Sequence, residues 1–120
     1  MSTILVVEDT PANLALVSKL LTAAGHAVVE ARTATEGIAL AKQRRPDLVL
    51  MDLGLPDMDG SSALREIRAD DGVADLHVVA FTASAMRGDR DRALAAGFDG
   101  YLSKPIDFAT FTQTIGEMLP

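Results

Sequence analysis

Short apolar runs alternate along the chain with longer segments in which apolar residues recur every three or four positions. The runs are TILVVE (3–8), AVVEA (27–31), DLVLM (47–51), LHVVAF (76–81) and DGYLS (99–103). Most lack the in–out alternation of a half-exposed strand, which predicts strands covered on both faces.

The intervening segments carry helix signatures with recognisable ends. Thr10 before Pro11 reads as an N-cap and first helical residue, Leu14, Val17, Leu20 and Leu21 repeat at helical spacing, and Gly25 closes the helix. Thr33 and Glu36 stand at the spacing of a capping box before Ile38 and Ala41. A short third helix follows Asp59 and Gly60 and is marked by Leu64 and Ile67. SAMRGDRDRALAAG (84–97) predicts a fourth helix, with Gly88 loosening its first turn. Asp107 is the expected cap of a fifth, its inner face carrying Phe108, Phe111, Ile115 and Met118. Five strands alternating with five helices predict an α/β fold, a doubly wound parallel sheet, because parallel neighbours need a crossover that is usually helical.

Composition narrows the class. The chain has 120 residues, no linker and no repeat, so one domain spanning 1–120 is expected. It is 48% hydrophobic but only 4% aromatic, so Leu, Val, Ile and Ala must build the core. A net charge of −6 and a pI of about 4.7 argue against nucleic acid as a direct partner. Without cysteine there is no disulfide framework and no thiolate metal site. No stretch approaches a signal peptide or a membrane span, so a cytoplasmic location is expected.

Ligands of doubly wound sheets bind beyond the carboxyl ends of the strands. The first strand ends in Glu8-Asp9, the third in Asp52, the fourth in Thr82 and the fifth in Lys104-Pro105. Three carboxylates, a hydroxyl and an ammonium therefore converge on one edge. Carboxylates so crowded repel unless a cation neutralises them, and an all-oxygen set suits Mg²⁺, which keeps several waters and shares an oxyanion with the protein. This is equipment for phosphoryl transfer, with a carboxylate as a possible nucleophile. Other motifs fall away. DMDG (57–60) lacks the first acid of a calcium loop, because Leu55 stands there, and Asp57 and Asp59 read as turn and cap residues. His26 and His77 are isolated and read as surface or turn residues, and KQRRP and RGDRDR as solvated helix faces.

ILVVEDTPAN, DLVLMDLGLPDMDG, VVAFTAS and GYLSKPI stand in the order and spacing of bacterial two-component response-regulator receiver domains, which the chain resembles over essentially its whole length. The resemblance implies a flavodoxin-like sheet of order 2-1-3-4-5. It implies Asp52 as phosphoacceptor from a phosphohistidine of a sensor histidine kinase or phosphotransfer protein. Mg²⁺ would be held by Glu8, Asp9, Asp52 and the Gly54 carbonyl. Lys104, Thr82 and the Ala83 N–H would contact phosphoryl oxygens, the Lys104–Pro105 bond would be cis, and Tyr101 would turn inward with Thr82 as a switch. A downstream protein would dock on the fourth helix, fifth strand and fifth helix. Thr10 stands where the family often has Asn, and Gly54 leaves no side chain at a position that often modulates hydrolysis.

The chain begins at Met1 and ends soon after the fifth helix, so action by protein contact or phosphate relay, without an output domain, is expected. The resemblance leans towards single-domain regulators and receivers of hybrid kinases. Two alternatives stand beside it. A Mg-dependent aspartyl phosphatase of the haloacid-dehalogenase kind needs a second Asp where Gly54 stands. A receiver-like module that binds partners without phosphorylation usually lacks one of the acidic, threonine or lysine set.

Overall fold

In the computed structural model, residues 2–82, 89–104, 107 and 109–119 are described. β1 (Thr3–Val7), β2 (Ala27–Ala31), β3 (Leu48–Asp52), β4 (Val78–Thr82) and β5 (Gly100–Ser103) form one sheet. Its order is β2-β1-β3-β4-β5, and all the pairings are parallel. Between the strands run α1 (Pro11–Ala23), α2 (Ala34–Arg44), α3 (Gly60–Arg68) and α4 (Asp89–Ala96), and α5 (Phe111–Met118) follows β5.

The unbroken apolar runs split by residue parity, since successive strand side chains point to opposite faces. Leu5, Val7, Val49, Met51, Val78 and Ala80 pack with Ile38 of α2, Leu64 and Ile67 of α3 and Ala93 of α4. Ile4, Val6, Leu48, Leu50, Val79 and Phe81 pack with Leu14, Val17 and Leu21 of α1 and Phe111 and Ile115 of α5. A strand that serves two cores cannot alternate in polarity, which is why the runs were continuous. Edge strand β2 is only half-buried along most of its length.

Local end signals act where their partners are close in sequence. The Thr33 hydroxyl accepts from Glu36 N–H at 3.1 Å, and Glu36 Oε1 accepts from Arg32 N–H at 2.9 Å. Asp59 caps α3 by accepting from Ser62 N–H at 2.8 Å. Thr10 holds the N-cap position of α1, but its side chain makes no capping bond. The fifth helix begins later than the Asp107 signal suggested: Asp107 takes Ala109 N–H at 3.0 Å in a preceding turn, and Thr110 is the N-cap. The start of the fourth helix before Asp89, Phe108 and the Lys104–Pro105 bond lie outside the described residues.

Two strand starts also move. β3 begins at Leu48, and Asp47 before it pairs with Thr3, donating its N–H to Thr3 O at 2.8 Å and taking Thr3 N–H at 2.7 Å on its carboxylate. β4 begins at Val78, and the Leu76 carbonyl before it is taken by Arg68. Arg68 Nη1 donates to the carbonyls of Ala74 and Leu76 at 3.0 and 2.5 Å. Its Nη2 donates to Gly97 O at 3.1 Å and Asp99 Oδ2 at 2.9 Å. One guanidinium thus staples the loops entering β4 and β5, so Arg68→Met is expected to cost about 2 kcal/mol. A urea midpoint within a few tenths of a molar of the unaltered protein would contradict that role.

Candidate functional site

The order of the sheet reverses between β1 and β3, which opens a crevice at their carboxyl ends. Glu8 follows β1 directly, and its N–H is held by Ala31 O at 3.0 Å. Its side chain is fully buried, with Oε2 accepting from Thr10 N–H at 3.0 Å and Oε1 paired with Lys104 Nζ. Asp52 is the last residue of β3, lies opposite Phe81 in the ladder and is only 5% exposed. Its Oδ1 accepts from Gly54 N–H at 3.0 Å, and its Oδ2 lies 3.4 Å from Lys104 Nζ.

Asp9 is half-buried beside them, and ligand oxygens of Glu8, Asp9 and Asp52 lie within 4.8 Å of one another. Lys104 is placed by its backbone N–H on Thr82 O at 2.8 Å, and its ammonium sits 4.9 Å from the Phe81 ring centroid. Thr82, the last residue of β4, is buried. Ala83 lies outside the described residues. Tyr101 is half-buried on β5, opposite Ala80, and lines a cavity of about 370 Å³ with Phe81, Arg90 and Phe111.

The two buried carboxylates are driven in opposite directions. Burial raises the pKa of Glu8, but its bonds from Lys104 and Thr10 N–H outweigh that and bring it below its usual value. Burial also dominates at Asp52, Gly54 N–H only partly offsets it, and the Glu8 charge adds to it, so its pKa rises to about 6. At neutral pH three acids therefore face one ammonium. That deficit of positive charge, on oxygen donors already gathered, fits a divalent cation.

The loop after Asp52 keeps the space above it open. A Cβ on Gly54 would lie 3.7 Å from Asp52 Oδ1. Beside it is a cleft of about 410 Å³ lined by Leu53, Gly54, Ser61, Thr82, Arg92, Ala93 and Phe98. A Cβ on Gly60 would come within 3.1 Å of the Leu53 Cα, so only glycine lets α3 start this close to the acid. Arg92, read from sequence as part of a solvated helix face, is exposed but borders the cleft. No local pattern distinguishes it from its neighbours.

Asp57 is more than a turn residue of its own loop. Its carboxylate takes the N–H groups of Ala34 and Thr35 and the Thr35 hydroxyl at 2.8–3.0 Å. With Asp57 committed to α2 and Asp59 to α3, neither is available to a calcium loop. His26 and His77 sit half-buried before β2 and β4, at the amino edge of the sheet and away from the acids.

A family model described as the response regulator receiver domain matches residues 4–116. The polar-differentiation response regulator DivK of Brucella anthropi is 37% identical over 116 residues, covering 97% of this chain and 94% of that protein. The receiver domain of sensor histidine kinase PA1611 from Pseudomonas aeruginosa PAO1, solved with a magnesium ion in its active-site cleft, is 36% identical with a TM-score of 0.87. The match covers 98% of this chain and 96% of that one. The chemotaxis response regulator CheY4 of Vibrio cholerae superposes with a TM-score of 0.91 at 26% identity, with 99% of both chains covered.

Proposed function

The chain belongs to the response-regulator receiver family of two-component signalling, and from that premise we propose that Asp52 is its phosphoacceptor. The observation that carries the reading is the gathering of Glu8, Asp9 and Asp52 within 4.8 Å, with one lysine reaching two of them. In the proposed reaction a carboxylate oxygen of Asp52 attacks the phosphorus of a phosphohistidine on a sensor kinase or phosphotransfer protein. The P–N bond breaks, and the imidazole leaves with the electron pair. The ladder holds Asp52 with little freedom, Gly54 N–H orients its Oδ1, and Gly54 leaves the approach open. Lys104 and the Thr82 hydroxyl would take phosphoryl oxygens as charge shifts onto the aspartate. Glu8, Asp9, Asp52 and the Gly54 carbonyl would hold Mg²⁺, which when bound neutralises charge on the acids and the phosphoryl oxygens.

The output is a change of protein contact rather than turnover of a substrate. Tyr101, on the strand next to Thr82, is the proposed second half of the switch, and α4, β5 and α5 the face offered to a downstream protein. Residues 1–120 would act as one receiver unit in the cytoplasm, touching neither membrane nor nucleic acid. Among the described residues no helix is long and apolar enough to cross a membrane. The net charge of −6 disfavours phosphate backbones. Gly54 also supports this reading over an aspartyl phosphatase, since it offers no second acid.

Incubation with acetyl phosphate and Mg²⁺ is expected to add one acid-labile phosphoryl group, seen by mass, and omission of Mg²⁺ to prevent it. Asp52→Asn should stay unlabelled. Equal labelling of that variant would remove Asp52 from its role, and steady turnover of phosphate monoesters would restore the phosphatase.

A further inference from the structure

The first turn of α2 already has a local cap. Thr33 takes Glu36 N–H, and Glu36 reaches back to Arg32 N–H. The two amides this box leaves over, Ala34 and Thr35, are both taken by the carboxylate of Asp57, which lies 23 and 22 residues further along the chain. The Thr35 hydroxyl adds a third bond at 2.8 Å. These bonds favour the charged form and bring the Asp57 pKa down to about 2, so they hold across the working pH range.

A helix with its own box does not depend on a distant carboxylate to begin. The loop between β3 and α3 has more to gain. It is anchored at Leu55, buried in the core, at Asp57 on α2, and at Asp59, the cap of α3. Gly54, the exposed residue between Asp52 and Leu55, donates its N–H to Asp52 Oδ1. Only Leu55 and Pro56 separate it from the clamp.

We propose that Asp57 is a positioning residue: by clamping the β3–α3 loop to the N-terminus of α2, it holds Gly54 against Asp52 and keeps the cleft in its binding shape. The metal consequence rests on the reading of the cleft proposed above. The clamp itself does not.

Two substitutions separate this role from simple support of α2. Asp57→Ala releases the loop, whereas Thr33→Ala weakens the same helix end and leaves the Asp57 bonds in place. Amide hydrogen exchange at Gly54 is expected to quicken about ten-fold in Asp57→Ala and to stay within about two-fold in Thr33→Ala. Mg²⁺ affinity, titrated calorimetrically with Mg²⁺ alone, should fall roughly ten-fold in the first variant and hold in the second, the scale on which residues behind a metal shell act. Unchanged Gly54 exchange in Asp57→Ala, or equal quickening in Thr33→Ala, would overturn the clamp. Unaltered Mg²⁺ affinity beside a loosened Gly54 would overturn its link to the site. If the unsubstituted protein takes up no Mg²⁺, the metal reading fails alone, and the exchange at Gly54 still decides the clamp.

Discussion

Lys104→Met is expected to destabilise the fold by about 3–5 kcal/mol at pH 8, the cost of leaving a buried charge without its partner. Methionine keeps an apolar stem against Phe81 but withdraws the ammonium from Glu8, which is fully buried, and from Asp52, which is nearly so. Thr10 N–H still donates to Glu8. In the unaltered protein Lys104 helps hold the Glu8 pKa below its usual 4.5, so that contribution is present above 4.5 and is lost only as pH falls through the lower folded value. Without the lysine, burial outweighs what the Thr10 bond still offers and the folded pKa of Glu8 rises above the unfolded one. The folded variant then binds protons that the unfolded chain does not, and its deficit shrinks on acidification. Urea unfolding from pH 8 down to pH 5 reads this directly. A deficit independent of pH, or one below about 1 kcal/mol at pH 8, would show that the pair does not hold the buried acid.

Asp52→Asn is expected to act the opposite way, stabilising the fold by about 1–2 kcal/mol at pH 7–8 while abolishing phosphorylation. Burial lifts the Asp52 pKa from 3.8 to about 6. That rise, with the attraction to Lys104 already in it, corresponds to at most about 3 kcal/mol. Because the folded pKa is the higher one, the acid's contribution is fully present below 3.8 and is lost as pH rises through about 6. Asparagine carries no charge to desolvate and still accepts from Gly54 N–H. The gain should therefore be largest above pH 6 and vanish near pH 4, and an equal gain at both ends would exclude desolvation as its cause. A buried acid that costs stability is a common feature of a functional site.

The parts of this molecule legible in sequence share one property, closeness along the chain. The two-faced strands follow from their unbroken apolar runs. The caps at Thr33 and Asp59 work because their amide partners lie three residues on. Thr10 was placed correctly, yet its hydroxyl makes no cap, because the polar partner at that corner is the Glu8 carboxylate receiving its N–H. The long-range bonds of Arg68 and Asp57 and the place of Arg92 beside the cleft were not legible. Arg68 and Asp57 bind groups 6–31 and 22–23 residues away, and Arg92 borders a cleft formed with β3, α3 and β4.

The same division holds at the site. Alternation of apolar runs with amphipathic segments suffices to predict a parallel sheet, and a parallel sheet brings the carboxyl ends of its strands to one edge. Glu8, Asp9, Asp52, Thr82 and Lys104 could therefore be grouped from sequence alone. Their inequality could not. Glu8 and Asp52 are both buried acids at strand ends, yet one is held below its usual pKa and the other pushed above it. The difference comes from Lys104, 96 residues from Glu8 along the chain, bonding more closely to Glu8 than to Asp52. Desolvation and pairing depend on distance through space, and only the folded chain sets that distance.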